Sequence, residues 1–210
     1  MPVMGGSWAC TVDCDMSGIV LFHHAQGLTD GVVAFADQLR DAGHEVMVPD
    51  LFKGATFGTL DEGVAVVEAM GFESILDAGV SMGSSGPSEV VYAGFSLGAL
   101  VAHKLAQTRP GARGALFYHY GDVPVEMFGD TWPGRVSVQF HISEQDEWRE
   151  DGVVEEFVSR VGEVANAELF EYPGSAHLFT DSSLTEYQEE PARLVLVRTL
   201  AFLDTTESRT

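Results

Sequence analysis

The chain has 210 residues, 45% of them apolar, which is enough for one domain with a sizeable core. Its formal net charge is −21, and so acidic a surface repels phosphate backbones and anionic membranes, arguing against nucleic acid and lipid as partners. No apolar run of about 18 residues is present, the first residues lack the basic-then-apolar pattern of a secretory signal, and Cys10 and Cys14 have no further Cys or His at metal-finger spacing. Together these predict a cytoplasmic location, two free thiols and no metal site.

In chain order, "GIVLFHH" (18–24) predicts a strand. "GVVAFADQLRDAG" predicts a helix, with Val32, Phe35, Ala36 and Leu39 at helical spacing and Gly43 as its stop. "EVMVPD" (45–50) predicts a second strand, and "LDEGVAVVEAMGFESILDAG" a helix interrupted near Gly71. "GVSMGSSGPS" is expected to be a loop. "EVVYAGF" (89–95) is strand-like and "LGALVAHKLAQT" helical. Strands follow at 114–120 and 135–142, then a helix striped by Val153, Val154, Phe157, Val158 and Val161, a last strand at 167–173, and a helix from Pro191 through Leu203. Strands alternating with helices predict a mostly parallel sheet covered on both faces.

The pattern G-x-S-x-G, the pentapeptide of a nucleophilic serine in many hydrolases, occurs twice: at 79–83 around Ser81 and at 94–98 around Ser96. A nucleophile elbow needs a strand entering, a sharp turn at the serine and a helix leaving. Ser96 has both flanking elements. Ser81 follows a helical pattern and runs into "SSGPS", which reads as a helix end. The helix after Ser96 would also aim backbone amides at a developing oxyanion.

A serine hydroxyl needs a base, placed in this architecture after the last strand, with the acid between the two in chain order. Of seven histidines, only His177, in "YPGSAHLFTDSS", lies beyond the last strand. His103 reads as packed or rim, His44 as part of a turn, and His119 and His141 as neighbours of the site near strand ends. The acid should follow the strand at 135–142, which offers Glu144, Asp146 and Glu147, with Asp122 the alternative one strand earlier; position favours Asp146 without excluding the others. For the oxyanion hole, the amides of Leu97 and Ala25 are the natural pair, the latter in the "HHAQG" loop with Gln26.

With these pieces placed, the chain resembles the dienelactone hydrolase family of α/β-hydrolases, on "VLFHHAQGLTDGVVAFADQLRDAGHEVMVPDLF", "YAGFSLGAL", "YHYG", "SEQD" and "YPGSAHLFTDSS". The resemblance implies a minimal α/β-hydrolase fold without a large cap domain, with Ser96, Asp146 and His177 as triad and Ala25 supplying the second oxyanion amide. There are departures. The best-known members carry cysteine where Ser96 stands. The family's loop glutamate falls on His24, one carboxylate-binding arginine falls on Gly54, and the other is replaced by Thr180 and Asp181. Without those arginines to clamp a carboxylate, the expected substrate is a neutral small ester, lactone or thioester. Tyr120, Trp148, Phe95 and Phe179 are candidates for an apolar substrate pocket, joined on the early loop by His24 and Gln26. No cofactor is implied, and a monomer or homodimer is expected. Acyl transfer by the same residues and a non-catalytic binder on the same fold are the competing readings.

Overall fold

In the computed structural model, which describes residues 18–207, six strands form one parallel sheet. They are β1 (Gly18–Phe22), β2 (Val46–Met47), β3 (Val90–Phe95), β4 (Ala112–Tyr118), β5 (Ser137–Ser143) and β6 (Ala167–Tyr172), in the order β2-β1-β3-β4-β5-β6. Six helices connect them: α1 (Asp30–Asp41), α2 (Leu60–Met70), α3 (Phe72–Ser84), α4 (Leu97–Thr108), α5 (Val153–Gly162) and α6 (Glu189–Glu207).

The central strands are buried on both faces, which explains their lack of polar alternation. Successive residues feed different cores. Val20, Phe22, Tyr92, Phe117 and Val138 pack with Leu76 of α3, Val101 and Leu105 of α4, and Phe157 of α5. Ile19, Leu21, Val91, Leu116 and Tyr118 pack with Phe35 and Leu39 of α1 and Val195 and Phe202 of α6. Each fully buried Leu, Phe or Val contributes about 1.5–3 kcal/mol of transfer free energy, so this two-sided burial is the main stabilising term.

The elements depart from expectation mainly at edges. β2 pairs with β1 over Val46 and Met47 alone, because an edge strand has one partner and its residues are only half-buried. The final helix starts before Pro191, which is tolerated in a first turn where amides need no intrahelical acceptor. "GVSMGSSGPS" is corrected more substantially: Gly79–Ser84 complete α3, and the loop begins only after them. Gly71, at φ +83, separates α2 from α3 as predicted.

The order of strands reverses between β1 and β3: the chain goes out to β2 and then crosses back. At such a switch point the loops leaving neighbouring strands diverge and open a crevice at their carboxyl ends. The loops after β1 and β3 carry Ala25 and Ser96.

Candidate active site

Ser96 stands between β3 and α4 with φ 49° and ψ −113°, a strained conformation for a residue with a side chain. The flanking glycines make that turn possible. A Cβ on Gly98 would press on the carbonyl oxygens of Phe22 and His23, and one on Gly94 on the backbone of Gly98. α4 can therefore start directly beside the end of β1. The other pentapeptide has a different reason. A Cβ on Gly79 would lie 2.8 Å from Val101, and one on Gly83 2.6 Å from Leu105 and 2.8 Å from Phe22. These glycines, one turn apart on α3, let it lie close against α4, while Ser81 faces solvent.

Ser96 Oγ lies 2.8 Å from His177 Nε2, and His177 Nδ1 lies 2.9 and 2.8 Å from the two carboxylate oxygens of Asp146. A carboxylate only accepts, so Nδ1 carries the imidazole proton and Nε2 presents its lone pair to the serine hydroxyl. Asp146 is 5% exposed and also accepts from the amide of Trp148. The loops bearing Asp146 and His177 are stitched together: Glu144 N donates to Tyr172 O, Gln145 N to Gly174 O, and Ser143 Oγ to Ala176 O. Glu144, Glu147 and Asp122 do not reach the imidazole with a hydrogen bond.

A cavity of about 290 Å³ opens on Ser96 and His177. Ala25, Leu97, Tyr120 and Trp148, all singled out from sequence, line it. The other side was not foreseen: Leu60, Val64 and Val67 of α2 and Phe72 at the start of α3. Their spacing marks a helical stripe in the sequence, but nothing local says that the stripe faces a cavity. Glu68, Asp122, Phe72 and Trp148 are exposed and mark the mouth, and no Lys or Arg is among the lining residues.

Four residues proposed as substrate contacts lie elsewhere. Phe95 is stacked on Tyr118 in the core beneath the elbow, and Phe179 is fully buried against Tyr172 and His119. Gln26 is buried, its side chain donating to Phe57 O and its carbonyl accepting from Phe57 N. His24 turns away to Asp181, with Nε2 2.8 Å from Oδ2. Because His24 Nδ1 accepts from the Gln26 amide, its proton sits on Nε2 and is donated to the carboxylate. Asp181 also accepts from Thr29 Oγ1 at 2.5 Å and from the amide and hydroxyl of Ser183 at 2.8 and 2.6 Å. Burial raises the pKa of Asp181, but the hydrogen bonds from His24, Ser183 and Thr29 outweigh it and hold the group down at about 2. The carboxylate thus ties the loop carrying Ala25 to the loop that follows His177. Sequence reasoning saw both residues as departures and missed that they answer each other.

Tyr120 shows the cavity only its ring. Its hydroxyl lies 2.9 Å from Nδ1 of the buried His103, whose Nε2 donates to Gln107 Oε1 at 3.0 Å. The Gln107 amide in turn donates to the carbonyls of Val125, Gly129 and Thr131, pinning the segment below the cavity. Burial pushes the Tyr120 phenol well above its usual range and His103 down to about 3, so both stay neutral. Among the described residues no cluster of three or more His, Cys, Asp or Glu is placed to hold a metal ion; Cys10 and Cys14 lie outside those residues. Nor is any described helix long and apolar enough to cross a membrane.

The dienelactone hydrolase family matches residues 6–207. The chain belongs to that family. As a dienelactone hydrolase family member it is an α/β-hydrolase acting on ester bonds. Among solved structures it is similar to a dienelactone hydrolase-like promiscuous phosphotriesterase from metagenomic libraries, at 19% identity and a TM-score of 0.73 over 90% of this chain and 86% of the other. A putative dienelactone hydrolase from Klebsiella pneumoniae matches at 18% identity and 0.70, over 91% and 89%. A Bacillus cereus carboxylesterase matches at 17% and 0.53, over 92% and 90%. At these identities the structural likeness shows a shared α/β-hydrolase fold. No curated protein matches the chain.

Proposed function

We propose that this dienelactone hydrolase family member is a serine hydrolase that cleaves a neutral ester, lactone or thioester through an acyl-enzyme. The observation that carries the reading is the continuous hydrogen-bond chain Ser96 Oγ, His177, Asp146, formed at 2.8–2.9 Å on the wall of an apolar cavity. His177 Nε2 takes the Ser96 proton as Oγ attacks the carbonyl carbon, and Asp146 stabilises the imidazolium. The carbonyl oxygen, now negative, is held by the amides of Leu97 and Ala25. Collapse expels the alcohol or thiol, which receives the proton from His177. Water then gives its proton to Nε2, attacks the acyl-enzyme and releases the acid. The acidic mouth and the absence of a lining cation speak against an anionic substrate.

The test is labelling by a fluorophosphonate probe beside hydrolysis of p-nitrophenyl butanoate. Wild type and Ser81→Ala label and turn over alike, while Ser96→Ala does neither, losing at least about 10³-fold in kcat. Equal labelling of Ser96→Ala would sink the assignment.

A further inference from the structure

Among the described residues, one buried side-chain polar atom has no hydrogen-bond partner: Nδ1 of His119, a residue lining the cavity beside Ser96 and His177. A buried orphan of this kind is costly and calls for an explanation, and on a cavity wall a ligand atom can supply the missing partner.

The residue is held firmly in place. His119 follows β4 with φ +56, a left-handed conformation uncommon for any residue but glycine. Its amide donates to His141 O at 2.8 Å, its ring lies 4.7 Å from Phe179 and 6.1 Å from Phe95, and the His177 ring is 5.9 Å away. Nε2 is 2.7 Å from Thr180 Oγ1. That contact decides the tautomer. If the Thr180 hydroxyl donates to Nε2, the ring proton sits on Nδ1 and one donor is left over. If Nε2 donates instead, both the hydroxyl proton and the Nδ1 lone pair go unmet. The first arrangement leaves fewer buried groups unsatisfied. Burial, reinforced by the neighbouring His177, pushes the His119 pKa well below its usual value, so the ring is a neutral donor.

The rest of the wall offers a substrate little else. Tyr120 spends its hydroxyl on His103, Trp148 stands at the exposed mouth, Glu68 and Asp122 are acidic, and the remaining side chains apart from Ser96 and His177 are aliphatic or aromatic. Resting on the serine-hydrolase reading above, we propose that His119 is a substrate-binding residue whose Nδ1–H donates to a second oxygen of the substrate, near the scissile carbonyl. The site then selects esters or lactones carrying an ether, hydroxyl or keto oxygen at the α or β position over plain alkyl esters.

The test compares p-nitrophenyl methoxyacetate with p-nitrophenyl butanoate, acyl groups that differ by one oxygen in place of a methylene. The ratio of their kcat/KM values in each variant, divided by the wild-type ratio, cancels intrinsic reactivity. His119→Phe is expected to lower that ratio about tenfold, the size of one hydrogen bond, while fluorophosphonate labelling persists. Thr180→Val, which frees the proton to leave Nδ1, is expected to lower it in the same direction. Labelled His119→Phe with an unchanged ratio overturns the role of His119 alone. A wild type that neither labels nor hydrolyses overturns the serine-hydrolase reading and this one with it. Should His119→Phe fail to fold, Thr180→Val and the imidazole ¹⁵N shifts of wild type decide: an unchanged ratio, or a proton on Nε2, overturns the proposal.

Discussion

At the scale of single residues, Asp181 shows how a departure from a family pattern acquires a partner. Its carboxylate is 3% exposed and accepts hydrogen bonds from His24, Thr29 and Ser183. Truncation removes the acceptor and leaves those donors buried, so Asp181→Ala should cost about 3–5 kcal/mol of stability by urea unfolding. Gly31 belongs to the same arrangement, since a Cβ there would collide with the Asp181 carboxylate. A loss of less than about 1 kcal/mol would mean that water replaces the carboxylate at little cost.

At the scale of elements, the repeated pentapeptide is one sequence pattern meeting two different needs. Around Ser96 the glycines let a strand turn into a helix over the end of β1. Around Ser81 they let α3 settle on α4 at Val101 and Leu105. Enlarging the second copy should therefore damage packing without touching chemistry. Gly83→Ala is expected to destabilise by about 1–3 kcal/mol, because Leu105 and Phe22 must give way, while kcat/KM of the folded fraction stays within about twofold. Thermal melts and esterase assays on the same preparation check both halves. The break at Gly71 matters at this scale too. It sets α2 apart from α3, and together Leu60, Val64 and Val67 of α2 and Phe72 of α3 line the cavity that Ser96 and His177 also line.

At the scale of the whole molecule, several imidazoles are buried uncharged. Burial lowers His23 to about 4, His103 to about 3 and His141 to about 3, and takes His119 well below its usual value. A folded-state pKa below the unfolded one means that the unfolded chain binds more protons in between. Stability is then full above about pH 6.5 and is lost as pH falls from there toward the folded values, each group contributing up to about 1.4 kcal/mol per pH unit. Between pH 7 and 5, carboxylates with ordinary pKa values stay mostly ionised, so the histidines dominate the slope. His141 bonds Tyr172 and Gln139, with Arg198 close enough to disfavour its charge. His141→Gln should flatten the dependence of unfolding free energy on pH by about one proton between pH 6 and 5, and an unaltered slope would show that His141 is not one of the uncharged groups.

What the sequence determined by itself is what local backbone physics dictates. Apolar periodicity marked strands and helices, Gly94 and Gly98 marked the elbow at Ser96, and the strand–helix alternation marked a parallel sheet. Its weak points were the short edge strand, which depends on having one neighbour, and the tail of α3, where Gly and Ser suggested a loop but packing against α4 holds a helix. Only the tertiary structure brought Asp146, and not Glu144, Glu147 or Asp122, to hydrogen-bond distance of the His177 imidazole and showed which side chains line the cavity. Ser96 and His177 are 81 residues apart, His177 and Asp146 31, and His24 and Asp181 157, yet each pair meets at hydrogen-bond distance. Contacts of that span depend on how loops leave neighbouring strands at the switch point, and residue spacing along the chain does not encode it. For the same reason Phe95 and Phe179, plausible pocket aromatics in sequence, lie in the core, whereas His119, expected only to neighbour the site from the end of its strand, lines the cavity with Ser96 and His177.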